Sequence, residues 1–300
     1  MSTVREITSK EELEKYRDLF AAKPWPRFIR LYHAIKMELE NKIPYAKFHF
    51  YVTEAGKSTY YFGIYFDDFH PGDRGGCLTI ESEGEFDYDE FVAAIKETFP
   101  EPDTIGLILA KKTYTTAMRK FCTDLYPEYG PVSYFNETRE FYMKKDKEQE
   151  ILDNEVPEFL DVEEYELTVG DPEKDAEAIH DTWRYSLPQY VNETVAKLRH
   201  LPNVCIKKDD VPVSYILLTF YGKFCHQFTV EEYRKRGLGT VVENELMKKA
   251  LKEGLIPIKE VSVDLKDVIR RGKESGLWQI SLEEDGTETN MVYFSLGRRG

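Results

Sequence analysis

Hydrophobic and polar positions along the first half of the chain alternate between a helical and a strand-like spacing. Ser9 and Glu12 form a capping box that opens a helix, and Phe28, Leu31 and Ile35 recur at the spacing of a second one. Short aromatic and apolar runs predict strands. The predicted elements are, in order, a helix from 9 onward, a helix over 27–40, strands over 45–53, 60–66 and 77–81, a helix over 88–98, a strand over 105–110, a helix over 113–125 and a strand over 140–144.

A similar order recurs in the second half. Asp171 and Pro172 announce a helix as an N-cap followed by a proline in the first turn, and Gly254 ends a later helix. A closing hairpin is predicted to turn at Asp285 and Gly286. The predicted elements are a strand over 165–169, a helix from 171, a helix over 189–200, strands over 204–207, 213–219 and 224–230, a helix over 238–253, a strand over 258–263, a helix over 265–274 and hairpin strands over 278–282 and 291–296.

The segment 144–166 is crowded with charge, contains Pro157 and lacks apolar periodicity, which is typical of a linker. We therefore predict a domain over 1–148, a linker over 149–162 and a second domain over 163–300. Both halves are predicted to contain the same order of elements: helices, a strand meander, a helix, a strand, a helix and a closing strand. The predicted fold class is therefore α/β, with mixed α+β sheets in two copies of one architecture. The repeat is one of architecture, since the two halves share little sequence.

Composition narrows the classes of partner. The 41 basic and 55 acidic side chains give a net charge of −14, which disfavours nucleic acid. The longest apolar run, over 213–220, is far shorter than a membrane span, and the acidic N-terminus fits neither a signal nor a transit peptide. We expect a cytoplasmic protein, with the mitochondrion as the alternative. The four cysteines show no CxxC spacing, so neither a metal site nor a disulfide framework is expected.

The informative segment is the strand over 224–230, followed by a short glycine loop and the helix from 238. Gly237 and Gly239 permit close approach to the backbone, and the first amides of a helix point outward unpaired with the positive end of its dipole. Arg234, Lys235 and Arg236 add three cations. This pattern predicts a site for a pyrophosphate. The spacing differs from a P-loop, and the loop follows the third strand of a meander, unlike a dinucleotide-binding fold.

The sequence Arg234-Lys-Arg-Gly237-Leu-Gly239 resembles the coenzyme A loop of the Gcn5-related N-acyltransferases (GNAT). Three further stretches, 202–206, 212–215 and 229–234, are similar to the glycine N-acyltransferase family, with a match that is specific over about 183–278. The resemblance implies a tandem GNAT-like fold whose N-terminal copy is degenerate and binds no cofactor. It also implies transfer of an acyl group from acyl-coenzyme A, the co-substrate, to the amino group of glycine or another small amine, as in amino-acid conjugation.

The resemblance places a catalytic glutamate at Glu232, and a carboxylate there is a suitable base for the amine proton. It also places an oxyanion donor at the backbone N–H of Val230. Trp183 is a candidate for the acceptor pocket, or a core tryptophan. The segment from Phe228 to Val230 is expected to pair with pantetheine like an added strand. The residues expected to contact coenzyme A are Phe228, Thr229, Val230, Arg234, Lys235, Arg236, Gly237, Leu238, Gly239 and Thr240.

One feature of the sequence argues against catalytic turnover, and two other candidate sites are weaker. Many relatives reprotonate the leaving thiolate with a tyrosine of the following helix, whereas 267–278 contains neither Tyr nor Asn. An acyl-coenzyme A-binding protein without turnover is therefore the alternative hypothesis. Cys225 and His226 look like a nucleophile pair, but neighbours on a strand point to opposite faces, which favours a core cysteine. The loop 70–76 contains glycines and an arginine but precedes a strand, so it offers no helix N-terminus.

Overall fold

The protein is described from a computed structural model that covers residues 3–55, 57–69, 75–101, 104–125, 134–158, 160 and 165–295. Most of the loop 70–76 and part of the predicted linker lie outside these described residues. No helix within the described ranges is both long enough and apolar enough to cross a membrane. The helices are α1 (Lys10–Ala21), α2 (Ile29–Leu39), α3 (Tyr88–Thr98), α4 (Lys112–Leu125), α5 (Glu148–Asp153), α6 (Ala176–Asp181), α7 (Val191–His200), α8 (Leu238–Lys252) and α9 (Lys266–Glu274). The strands are β1 (Thr3–Ile7), β2 (Ala46–Ala55), β3 (Ser58–Asp67), β4 (Gly76–Glu83), β5 (Ile105–Lys111), β6 (Tyr134–Met143), β7 (Glu166–Thr168), β8 (Val204–Lys208), β9 (Val211–Leu218), β10 (Phe224–Thr229), β11 (Ile258–Ser262), β12 (Trp278–Ile280) and β13 (Asn290–Ser295).

The first compact unit consists of Met1–Glu140, Val261–Arg271 and Ile280–Gly300. Its strands lie in the order β1, β2, β3, β4, β5, β13, β6, and β4 and β5 are parallel. Helices α3 and α4 pack on one face of this sheet through a core that includes Phe91, Ile95 and Met118, against Phe62 and Ile80 of the strands. Apolar residues at helical spacing on α3 and at alternate strand positions therefore meet, as the sequence pattern predicts.

The second unit consists of Phe141–Glu260 and Gly272–Gln279. Its strands lie in the order β7, β8, β9, β10, β11. Ile179 of α6 and Leu198 of α7 pack with Tyr215 and Leu217 of β9. Helix α8 contacts β8, β9 and β10. The predicted mixed α/β architecture in two similarly ordered copies is confirmed.

The closing segments differ from the prediction. The expected strands 278–282 and 291–296 do not pair along their length, because β12 and β13 each pair with β6. The residues between β12 and β13 do form a short hairpin, with a bridge from Leu282 to Glu288 and hydrogen bonds from the Thr289 and Glu283 N–H groups to the Ser281 and Thr287 carbonyls. An existing sheet edge offers a longer ladder than an isolated hairpin. The turn itself is as predicted, with Gly286 at φ +82°. Both compact units are discontinuous in sequence, with Val261–Arg271 and Ile280–Gly300 in the first and Gly272–Gln279 in the second.

A buried ionic cluster holds the C-terminal segment to the first unit. The Arg30 guanidinium, 2% exposed, forms ion pairs with Glu81 at 3.0 Å and with Glu140. Ser281 donates a hydrogen bond to Glu140 at 2.8 Å. Buried charges are tolerated only when they are paired. Arg30 therefore neutralises two buried carboxylates that would otherwise destabilise the folded state.

We expect Arg30→Met to destabilise the first unit by about 3–5 kcal/mol, because it leaves Glu81 and Glu140 buried without their cation. Urea denaturation followed by circular dichroism measures the loss. The control is Lys10→Ala, which removes the exposed i,i+4 pair with Glu14 and should cost about 0.5 kcal/mol or less. Equal losses in the two variants would contradict the assignment of the cluster as a major support of the fold.

Candidate active site

Strand β10 has one paired edge and one open edge. On one side it pairs antiparallel with β9, whereas on the other side its parallel register with β11 is limited to Phe224 opposite Lys259. Beyond that point the two strands separate. Backbone groups on a strand edge without a neighbour are a template for an added strand. The part of β10 after Phe224 can therefore accept an extended ligand.

A β-bulge interrupts β10 between Cys225 and Phe228. His226, inside the bulge, has φ 51°, a left-handed conformation that is uncommon outside glycine. Neither His226 nor Gln227 has a register partner on β9. The bulge thus interrupts the regular pairing of β10 with β9 at two successive residues.

The predicted role of Val230 as oxyanion donor is wrong, because its N–H donates to the carbonyl of Val213 on β9 at 2.9 Å. Hydrogen-bonding direction alternates along an antiparallel strand, so Phe228 also faces β9 and Thr229 faces the open edge. Of the three residues expected to pair with pantetheine, Thr229 alone presents its backbone outward. Its carbonyl also accepts a hydrogen bond from Nε of Arg234 at 2.9 Å.

The N-terminus of α8 lies beside this open edge. Gly237 adopts φ 85° and caps the helix with its carbonyl, which accepts the N–H groups of Thr240 and Val241. Within the described chain, the amides of Gly237, Leu238 and Gly239 have no hydrogen-bond partner. Three free amides at the positive end of a 15-residue helix can bind an anion.

The start of α8 lies beside β10 at Gly239. A Cβ built on Gly239 would lie 3.5 Å from Oγ1 of Thr229 and 3.7 Å from Nε2 of Gln227. Gln227 also donates to the Gly239 carbonyl at 2.7 Å. The free amides and the open strand edge are therefore neighbours, as a ligand with a phosphate group and an extended arm would need.

The three cations of the loop have different roles. Arg236 donates to the Tyr165 hydroxyl at 3.2 Å and to the Glu232 carbonyl at 3.1 Å, and it lies over the Tyr233 ring. Arg234 likewise folds back over β10. Lys235 is exposed and makes no hydrogen bond or ion pair with the residues that the structure describes. Both arginines shape the loop and contribute charge, while the ammonium of Lys235 is free to reach a ligand.

Glu231 and Glu232 lie in a single 3-10 turn, Glu231–Tyr233, that follows β10. The strand ends at Thr229, so strand alternation does not apply to these two side chains, and both carboxylates are exposed. Across the described residues neither carboxylate forms an ion pair. Glu232 is thus an accessible, unneutralised carboxylate on the turn that joins the bulged strand to the anion site.

A polar network that the sequence did not reveal surrounds His226. Its Nε2 is 2.9 Å from Oγ1 of Thr182, and the same oxygen is 2.6 Å from the Tyr215 hydroxyl. The Trp183 ring is centred 5.0 Å from the imidazole and is 36% exposed. Burial, together with the nearby Lys197 and His180, lowers the pKa of His226 to about 3. The imidazole is therefore neutral at pH 7.

The remaining candidates have structural roles. Both ring nitrogens of His180 are hydrogen-bonded, to Thr194 at 3.0 Å and to the Leu187 carbonyl at 2.9 Å. Cys225 packs against the core formed by α6, α7 and β9, and burial raises the pKa of its thiol. Neither side chain offers a reactive atom. Trp183, by contrast, stands partly exposed beside the bulge, as expected for a wall of an acceptor pocket.

The stability of the second unit should depend on pH through His226. Its folded pKa of about 3 lies below the unfolded value of about 6.5, so between these values the unfolded chain binds a proton that the native state does not. Stability should therefore fall as pH decreases through that window, by at most about 1.4 kcal/mol per pH unit from this group. Urea denaturation at pH 7 and pH 5 should show a smaller acid-induced loss in His226→Asn. Equal losses in the variant and the wild type would contradict a buried neutral imidazole.

Comparisons with known proteins bear on the fold. No family model and no curated protein matches the chain. A solved Drosophila protein matches over 100% of both chains at 14% identity with a TM-score of 0.76. A GCN5-related N-acetyltransferase from Kribbella flavida is 14% identical over 88% of this chain and 95% of its own chain, with a TM-score of 0.48. A GCN5-related N-acetyltransferase from Sphaerobacter thermophilus is 11% identical over 100% of this chain and 96% of its own chain, with a TM-score of 0.47. The chain shares the fold of the Drosophila protein along its whole length. Among the residues described, no cluster of His, Cys, Asp or Glu forms a metal site.

Proposed function

We propose that the second unit is an acyl-coenzyme A-dependent N-acyltransferase of the glycine N-acyltransferase type. The observation that carries the proposal is the proximity of three free amides at the start of α8 to the open edge of β10. One feature fits a pyrophosphate and the other an extended arm with amide groups. Coenzyme A combines both in one molecule, with its acyl group at the far end of the arm.

The residues present fit this co-substrate. The amides of Gly237, Leu238 and Gly239 would hold the pyrophosphate, with Lys235 as the mobile cation beside it. Thr229 would exchange backbone hydrogen bonds with the pantetheine arm. Bound coenzyme A would supply the thioester, whose sulfur is the leaving group. Leu238 is buried and anchors the helix, while Thr240 is exposed at its first turn.

The chemistry needs a base and a donor for the oxyanion. The amine nitrogen attacks the thioester carbon, the carbon–sulfur bond breaks, and the nitrogen loses a proton. Glu232, exposed and without a cation partner among the described residues, is our proposed base. In place of Val230, we propose the backbone of the bulge as the oxyanion donor, because His226 and Gln227 have no register partner on β9. The thiolate takes its proton from water.

One acyl-coenzyme A per chain is expected. In the first unit, β4 pairs with β5 over four positions, and the Tyr114 hydroxyl of α4 is 2.7 Å from Oγ of Ser82 near the end of β4. Both side chains are buried. The buried Tyr114 side chain therefore lies beside the end of β4, which supports the proposal that the N-terminal copy binds no cofactor.

The alternative is a protein of this fold that binds acyl-coenzyme A without turnover. It is favoured by α9, which has neither Tyr nor Asn to serve as a general acid. A screen of acyl-coenzyme A thioesters against amino acids and small amines, with products identified by mass spectrometry, separates the two. Formation of an N-acyl amine in amounts proportional to enzyme supports the transferase, and tight binding with no product for any pair supports the alternative.

A further inference from the structure

The His226 side chain is held in an unusual conformation at the bulge. A left-handed φ is unfavourable for a non-glycine residue, so neighbouring contacts must hold it there. Those contacts come from Thr182, Trp183 and Tyr215, on α6's C-terminal turn and on β9. The side chain remains 8% exposed. The fold therefore places one imidazole at the interruption of β10 and fixes its orientation.

Hydrogen-bond accounting assigns the tautomer of this imidazole. The Thr182 hydroxyl has one hydrogen, which it donates to the Ile179 carbonyl at 2.8 Å. Its oxygen must then accept from both of its other neighbours, the Tyr215 hydroxyl and Nε2 of His226. Nε2 therefore carries the proton. In the neutral ring, Nδ1 is left with a lone pair and acts as an acceptor.

Nδ1 has no hydrogen-bond partner among the described residues. Because Nδ1 is bonded to Cγ, it stays close to the backbone of the bulge while Nε2 reaches toward Thr182. Nδ1 is not one of the fully buried polar atoms that lack a partner, so a small ligand can reach it. A ligand that donates a hydrogen bond would satisfy this acceptor.

The position of Nδ1 matches the reactive end of the proposed co-substrate. Gly239, at the anion site, lies beside Thr229. His226 is three residues further along β10, about 10 Å at 3.4 Å per residue. An arm that starts at the helix and follows the open edge therefore carries its acyl group toward the bulge, next to His226 and the exposed Trp183.

We propose that Nδ1 of His226 accepts a hydrogen bond from the attacking amine and orients it toward the thioester. The inference rests on the proposed function and makes the acceptor a primary amine. The amine arrives as an ammonium whose first proton passes to Glu232, which leaves a neutral primary amine with two N–H groups. One of them donates to Nδ1 throughout, and the other is lost to water as the new carbon–nitrogen bond forms and the carbon–sulfur bond breaks. A neutral secondary amine has one N–H and cannot do both. The Trp183 ring, 36% exposed, lies beside the imidazole.

Two substitutions separate this role from a structural one. His226→Asn keeps an acceptor oxygen at the position of Nδ1, and Asn tolerates the left-handed φ. His226→Gln puts an amide near Nε2 and can keep the bond to Thr182, but it has no acceptor at Nδ1. We expect His226→Gln to lower kcat/KM for glycine about 10- to 100-fold, the size of one hydrogen bond, and His226→Asn to lose less than about fivefold. Affinity for acyl-coenzyme A should not change in either.

Acceptor choice provides a second readout. The wild type should prefer glycine to N-methylglycine, and the preference should collapse in His226→Gln. If His226→Gln retained turnover and His226→Asn lost it, the bond to Thr182 would be the one that matters, and the inference would be overturned. If His226→Gln were as active as the wild type, the inference would also be overturned, but the proposed function would stand. A wild type that acylates no amine would refute the proposed function, and this inference with it.

The tautomer is tested without turnover. Nitrogen-15 NMR of the full wild-type chain at pH 7, with the His226 resonance assigned by its loss in His226→Asn, should show an unprotonated Nδ1 and a protonated Nε2. A protonated Nδ1 would overturn the inference even if the variants behave as expected, since that nitrogen could then not accept a hydrogen bond.

Discussion

Glu232→Gln should lower the rate of acyl transfer by roughly 10²–10⁴-fold while leaving the affinity for acyl-coenzyme A unchanged. The amide has the shape of the carboxylate but cannot take a proton from the amine. Glu232 is exposed on the turn after β10, so the substitution disturbs no packed neighbour. Steady-state kinetics and calorimetric titration of the same preparation measure the two quantities.

The pH dependence separates a lost base from a damaged site. At higher pH, solution supplies more of the free amine, so the deficit of Glu232→Gln should shrink, whereas a loss from misfolding should persist. Glu231→Gln is the matched control, because adjacent residues of a 3-10 turn point about 120° apart. It should keep most of the activity. Equal rates in the Glu232 variant and the wild type across the pH range would remove Glu232 from the role of base.

Gly239→Trp should weaken acyl-coenzyme A binding by about 100-fold or more, about 2.7 kcal/mol. The indole would occupy the space between the free amides of α8 and the open edge of β10, where the pyrophosphate is proposed to bind. Calorimetry with the full chain measures the change. The wild type should bind one equivalent, because the N-terminal copy is predicted to bind none.

Gly239→Ala distinguishes obstruction from unfolding. Its Cβ would lie at ordinary contact distances from Thr229 and Gln227, so the fold should be retained, and the loss of affinity should be smaller than with Trp. Gly237 is the less suitable position, because its φ of 85° would strain any other residue. Undiminished affinity in Gly239→Trp, or two equivalents in the wild type, would contradict the assigned site.

The sequence predicts local elements well where one periodicity dominates. Helix α8 was expected over 238–253 and spans Leu238–Lys252, and α3 was predicted with both bounds correct. Strand β1 was missed, because Thr3–Ile7 is short and carries Arg5 and Glu6 on exposed positions. The partners of β12 and β13 were also missed, because periodicity indicates that a strand forms but not which edge it joins.

At the site, the glycine loop could be predicted because its chemistry lies in consecutive residues. The residues around the bulge could not, because the argument from strand alternation assumes a regular strand. The bulge shifts the register after Cys225 and turns the amide of Val230 toward β9. The same irregularity brings His226 into contact with Thr182 and Tyr215, which lie 44 and 11 positions earlier in the chain. Of these residues, only His226 was noticed in the sequence, because it follows Cys225 shortly before the glycine loop.

Release of free thiol from acyl-coenzyme A, followed with and without a primary amine, tests the central claim most directly. The account predicts slow release without the amine, and release with glycine or another small amine that is stoichiometric with N-acyl product. Gly239→Trp should abolish it at low acyl-coenzyme A concentration. Thiol release that no amine accelerates, from a chain that binds acyl-coenzyme A, would contradict the proposed transferase and identify a binding protein instead.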